Sequence, residues 1–320
     1  MRRRACLVAA GLLAASGCGL TSGSPLADDV RPGSVGRGEP LKGARLTVTS
    51  KAFTEQLILG AVMGIAFEAA GADVLDRTGI QGSVGSREAV RSGDADAGYE
   101  YTGTAWITYL GRDEPLDDPH AQWEAVRKAD AGNGVTWLAP SSLDNTYALA
   151  TNRANARRYG TRTLSDVAGL ARSDPGAVTL CVEGEFADRA DGLPGLRKEY
   201  GMDVPARSVT QMDTGTIYTR AAQGSCTYGE VFTTDGRVKS MDLVVMDDDR
   251  RFFPHRNAAP MVNTATLKEW PAIAAVLGPV TAKLDNDVAR TLNAAVDVDG
   301  EDPHQVALDW MVAEGFVREG

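Results

Sequence analysis

Residues Leu46–Gln56 read LTVTSKAFTEQ. The first half alternates apolar and polar side chains as a half-buried strand does. The second half opens a helix whose apolar residues Leu57, Ile58, Ala61, Val62 and Ile65 recur at helical spacing until Gly71 stops it. A strand feeding a helix N-terminus opens an α/β domain. The same shape returns in VTLCVEGEFADR, Val178–Arg189, where aligning Phe53 with Phe186 sets Val48 on Cys181 and Gln56 on Arg189.

A second pair supports the first. Arg87–Thr104 (REAVRSGDADAGYEYTGT) matches Tyr218–Asp235 (YTRAAQGSCTYGEVFTTD), with Gly93 on Gly224, Gly98 on Gly229, Tyr101 on Phe232 and Thr102 on Thr233. Each copy predicts a helix, a glycine stop, a short strand and a turn carrying an aromatic ring. Identities are few, so chance resemblance stands as the alternative. Two α/β halves built alike predict two lobes facing each other. A third pair, NTYALA at Asn145–Ala150 and NAAPMV at Asn257–Val262, consists of extended segments entering apolar runs. With both crossing between lobes, lobe 1 is 44–146 plus 257–320 and lobe 2 is 147–256. A cleft between lobes joined by two crossovers is where a small ligand binds.

Chain length agrees with two lobes, since 320 residues exceed the ~250–300 at which a single core stops growing. A hydrophobic share of 43% with 24% charged residues is that of a globular protein and excludes disorder, collagen and a polytopic membrane protein. The net charge of −10 and the lack of a basic stripe disfavour a nucleic-acid partner. At the N-terminus, Arg2–Arg4 precede the short apolar run Leu7–Ala15, an export signal over residues 1–17. It ends in Ala15-Ser16-Gly17-Cys18, which resembles the lipobox of bacterial lipoproteins, with Ala15 where that motif most often has Leu. Lipidation of Cys18 would anchor the protein to the outer face of the cytoplasmic membrane. Simple secretion, with Cys18 a stray thiol, is the other reading. The Gly-, Ser- and Pro-rich stretch up to residue 43 reads as a flexible tether, so 18–43 is lipidated cysteine plus tether.

The motifs SKAFTEQLILG, YEYTGTAW, NTYALA, GEFADRADGLPGL, VFTTDGR and FFPHRNAAPMV, in this order, closely resemble the substrate-binding proteins of quaternary-amine (glycine betaine, carnitine, choline) ABC transporters. The resemblance runs from Leu46 to the C-terminal helix with Ala307 and Trp310. It implies the type II periplasmic-binding-protein fold, hinge closure on a quaternary amine or zwitterion, and delivery to permease and ATPase subunits; a monomer without cofactor or metal is expected. A sensing subunit that signals to a membrane partner is a second role the same resemblance allows.

The resemblance also implies a box of aromatic rings around the ligand's ammonium head, which has no N–H to donate and is held by ring quadrupoles at about 0.5–2 kcal/mol per contact. Matched position by position, the box contains Tyr101, Tyr147 and Phe232, and Arg256 stands where the family usually has a fourth ring, in Pro254-His255-Arg256-Asn257. A guanidinium facing the cleft favours a more acidic or zwitterionic ligand. Otherwise Arg256 points to solvent and His255 lines the pocket. Lys51, Gln56, Thr104, Asn145, Glu185 and Arg189 complete the matched set, with Arg189 as carboxylate clamp or, alternatively, as an i,i+4 partner of Glu185. Lys51 and Glu185 read equally well as surface charges, and the three rings as core packing.

In an exported chain, Cys181 and Cys226 read as a disulfide, with two buried thiols as the alternative. Both are expected on neighbouring strands. An enzyme is disfavoured: His120, His255 and His304 pair with no nucleophile, and no Gly-x-Ser-x-Gly elbow occurs. Gly79, Gly82 and Gly85 lack the Lys-Ser/Thr of a phosphate loop and read as turns, and Asp247–Asp249 lacks the glycine and distal glutamate of a calcium loop.

Overall fold

The computed structural model describes residues 24–25, 30–112 and 116–320, so the export signal and Cys18 lie outside the described residues. The chain begins with β1 (Ser24–Pro25) and β2 (Val30–Pro32), then β3 (Arg45–Lys51), β4 (Asp73–Ile80), β5 (Ala97–Tyr101) and β6 (Val135–Trp137). A middle stretch gives β7 (Tyr147–Asn152), β8 (Leu180–Val182), β9 (Val209–Gln211), β10 (Tyr228–Phe232) and β11 (Leu243–Val245), and the chain closes with β12 (Ala258–Asn263) and β13 (Val317–Glu319).

Two large sheets result, ordered β1-β4-β3-β5-β12-β6 and β11-β7-β10-β8-β9, together with a two-stranded one, β13-β2. The two large sheets are built on one plan. In the first, β3 lies parallel between β4 and β5, and β12 pairs antiparallel with β5; in the second, β8 lies parallel between β9 and β10, and β7 pairs antiparallel with β10. The internal repeat is therefore a structural one, with β3 and β5 of the first lobe answering β8 and β10 of the second. Its register differs by one residue from the sequence alignment. Thr49, not Val48, faces Gly98, as Cys181 faces Gly229. Side-chain identity gave no means to place that step, since both strands are buried on both faces and lack a polar face to set the phase.

Helix α1 (Thr54–Ala69) departs from the amphipathic expectation. Ile58, Leu59, Val62, Met63, Ile65, Ala66 and Phe67 are all buried, because the C-terminal helices cover the side that the sheet leaves open. A helix apolar all round belongs inside the core. Helices Asn286–Asp297 and Pro303–Ala313 among those covering it start on Asp285 and Asp302, whose carboxylates accept the first free N–H groups.

The chain passes between the sheets at residues 144–147 and again at 254–258. The two passages lie side by side: Asn145 N–H donates to Arg256 O at 3.1 Å, Arg256 N–H donates to Asp144 Oδ1 at 2.7 Å, and Thr146 Oγ1 donates to Pro254 O at 3.1 Å. Cys181 and Cys226 are disulfide-bonded with 5.8 Å between their Cα atoms. Cys226 sits in the turn ahead of β10 rather than on a strand, a shift of two residues from the expectation.

The tether ends earlier than its composition suggests. β1 pairs with β4, β2 pairs with β13, and Val35 and Leu41 are buried in the first lobe's core. Glycine enables this packing instead of preventing it. At Gly36 (φ 79°) a side chain would lie 2.2 Å from Ala69 O, so only glycine lets the segment lie against the end of α1. Residues 30–43 thus belong to the folded lobe.

Candidate ligand-binding cleft

The C-terminal ends of the central strands converge on a cleft of about 430 Å³ between the sheets. From the first lobe come Lys51 closing β3, Phe53 just ahead of α1, Glu55 on the first turn of α1, Tyr101 closing β5, and Asn293 on helix Asn286–Asp297. From the second come Tyr147 opening β7, Glu185 and Arg189 at the short helix after β8, and Phe232 closing β10. Asn145 and Arg256 arrive from the two crossovers.

Four rings form a row across the lobes. Phe53 lies 6.3 Å from Tyr101 and 5.3 Å from Phe232, nearly parallel to the latter at 10°, and Phe232 lies 5.2 Å from Tyr147. The end rings carry the protein's own cations: Lys51 Nζ is 4.7 Å from the Tyr101 centroid, and the Arg256 guanidinium is 3.5 Å from the Tyr147 centroid. Phe53, which the sequence reading did not include, joins the three expected rings in this row.

Every basic side chain lining the cleft is paired inside the protein. Lys51 Nζ donates to Glu100 at 2.7 Å, Arg189 donates through Nε and Nη2 to both oxygens of Asp191, and Arg256 Nη2 also donates to Asp191. Burial pushes the Asp191 carboxyl up, but Arg256 and Arg189 together hold it down at about 2. For Lys51 burial wins, and its ammonium pKa is lowered despite Glu100. Arg237 pairs with Asp235 of its own lobe and, at 3.2 Å, with Asp297 of the other.

Glu185 joins the lobes at the cleft mouth. It accepts Ser83 N–H at 2.6 Å and Ser83 Oγ–H at 2.9 Å, placing a carboxylate at the N-terminus of helix Ser83–Ser92. Burial raises its pKa, yet the Ser83 N–H and the Lys51 charge bring it below the ordinary value. Glu55 goes the other way: burial raises it, although Tyr101 OH, Asn293 and Asn145 all donate to it.

Of the residues expected from the sequence, Lys51, Tyr101, Thr104, Asn145, Tyr147, Glu185, Arg189, Phe232 and Arg256 line the cleft. Gln56 does not. It is fully buried behind the wall, and its Oε1 accepts Lys51 N–H at 3.3 Å. Lys51 is buried rather than a surface charge, and Arg256 points inward with 2% exposure. Arg189 faces Glu185 at 3.3 Å as its i,i+4 alternative had it, but its main partner is Asp191. The sequence reading missed Phe53, Glu55, Asp191 and Asn293. Phe53 and Glu55 were within reach, since both sit in the stretch that decides the fold.

Residues 44–313 match the family model OpuAC, the substrate-binding domain of ABC-type glycine betaine transport systems. The chain is 35% identical over 280 residues to the glycine-betaine-binding protein of Pseudomonas aeruginosa, covering 86% of this chain and 89% of that protein. It is 31% identical over 274 residues to the ergothioneine transport permease/ergothioneine binding protein EgtU of Helicobacter pylori, covering 85% of this chain and 48% of that one. A solved structure of a glycine betaine/carnitine/choline ABC transporter superposes with a TM-score of 0.69 at 25% identity, covering 85% of this chain and 99% of that chain. The two lobes are those of the type II periplasmic-binding-protein fold, and the molecule is a binding protein, not an enzyme. The chain belongs to the family of substrate-binding domains of ABC-type glycine betaine transport systems.

Proposed function

We propose that this protein is an extracytoplasmic solute-binding lipoprotein, anchored through Cys18, that closes on a betaine-type quaternary amine and delivers it as a monomer to an ABC permease and ATPase. The observation that carries the reading is the ring row Tyr101, Phe53, Phe232 and Tyr147, drawn from both lobes into one cleft. A head group without N–H donors gains from ring faces what it cannot gain from hydrogen bonds. The glycine betaine named for the Pseudomonas relative fits this reading. Lobe opening would part Phe53 and Tyr101 from Phe232 and Tyr147, and closure on a ligand would gather them around its ammonium.

The lipidated anchor, the binding role of Lys51, Thr104, Glu185 and Arg189, and lobe boundaries at 146/147 and 256/257 belong to the same proposal. A strongly acidic ligand, which Arg256 suggested, fits less well, because Asp191 already balances the guanidiniums of Arg256 and Arg189. Calorimetry of the domain against glycine betaine, carnitine and choline tests the reading, with Tyr101→Ala and Phe53→Ala weakening each quaternary amine that binds. Binding of none of them, or binding indifferent to both rings, would refute it.

A further inference from the structure

Glu55 organises two carboxamides that the ring row does not need. Asn145 Nδ2 donates to Glu55 Oε1 at 2.7 Å, and Asn293 Nδ2 donates both to Glu55 Oε2 and to Thr234 O, each at 3.0 Å. These acceptors fix the orientation of both amides, since a flip would set oxygen against oxygen. The carbonyl oxygens, Asn145 Oδ1 and Asn293 Oδ1, are left buried with no hydrogen-bond partner among the described residues. Both side chains line the cleft, at 2% and 3% exposure. An unmet buried acceptor costs free energy that a ligand donor would recover. Arg256 Nε is the converse, a buried donor in the cleft wall with no partner among the described residues.

We infer that the cleft holds a donor-recognition subsite, formed by Asn145 Oδ1 and Asn293 Oδ1 and oriented by Glu55, which takes an O–H or N–H group of the ligand beyond its quaternary head. This rests on the quaternary-amine reading and narrows it to betaines that carry a hydrogen-bond donor of their own. Arg256 Nε is then free to meet the ligand's carboxylate, so donor and acceptor groups of one zwitterion are both answered.

Two pairs of probes, each differing by one donor, test this by calorimetry on the mature domain. Carnitine against γ-butyrobetaine isolates the hydroxyl, and histidine betaine against its ring-N-methylated form isolates the N–H. The expected result is a preference of tenfold or more for the donor-bearing member of at least one pair, falling toward unity in Asn145→Ala and Asn293→Ala. Should either variant fail to fold, the wild-type ratios decide alone. Equal affinities within both pairs would overturn the subsite while leaving the quaternary-amine reading intact. Binding of neither pair, nor of glycine betaine, would overturn both.

Discussion

Arg256 lays its guanidinium 3.5 Å from the centre of the Tyr147 ring and donates to the Asp191 carboxylate, so a residue from the second crossover is pinned to the second lobe by stacking and charge together. The guanidinium at position 256 covers a ring, and the carboxylate that holds it there is shared with Arg189.

Asp191→Asn should therefore leave the buried guanidinium of Arg256 without its counter-charge and Arg189 with Glu185 alone. Removing one member of a buried ion pair costs about 3–5 kcal/mol. Urea denaturation should register a loss of that order, and the double variant Asp191→Asn/Arg256→Met should regain part of it. A single variant as stable as the parent would mean that the three charges are solvated in solution.

Glu230, buried beneath the cleft, should impose a pH dependence on stability. Burial raises its pKa to about 7, helped by the charge of Glu183 and opposed by the Glu183 N–H. In the unfolded chain the value is ~4.3, so between those pH values the folded state holds a proton that the unfolded chain has released. This contribution is present in full below the unfolded pKa and is lost as pH rises through the folded one, on the order of 4 kcal/mol at most. Glu230→Gln should flatten the fall in stability between about pH 4 and 7 in denaturant melts. Parallel curves for parent and variant would exclude Glu230 as the source.

The sequence carried the strand-helix unit, its repeat and the two strand-end rings, because each is a local pattern. Tyr101 and Phe232 close equivalent strands, and the repeat alone places both at the cleft. Phe53 was hidden by the same logic. Its repeat mate Phe186 is fully buried in the second core, so the alignment suggested packing where the first lobe offers a ring to the cleft. Asn293 and Asp191 were hidden by distance, since Glu55 and Asn293 lie 238 residues apart, and Asp191 and Arg256 lie 65 apart. The N-terminal segment misled through composition: its glycines allow close contact with Ala69 and Phe316 rather than freedom.

The anchor gives a prediction at the other end of the chain. Cys18→Ala should move the protein from the membrane fraction to the soluble one or block its processing, as immunoblots of fractionated cells would record. Identical partitioning of both forms would remove the lipoprotein assignment.

Ser83 and Glu185 meet across the mouth of the cleft, far in sequence and in opposite lobes, so a hinge opening at the crossovers would break this contact. Ser83→Ala deletes the hydroxyl donor and keeps the backbone N–H, so it removes one hydrogen bond to a carboxylate without touching the ring row. A bond to a charged group contributes about 1.5–3 kcal/mol net when shielded from water and less at a partly exposed cleft mouth, so ligand binding should weaken by about tenfold, because closure and binding share one free energy. The same variant should have a larger radius of gyration without ligand and recover the closed radius at saturation. Small-angle scattering and calorimetry on parent and variant read both effects. If affinity and radius are both unchanged, Glu185 caps the helix passively, and closure is held by Arg237 with Asp297 and by Asn293 with Thr234 O instead.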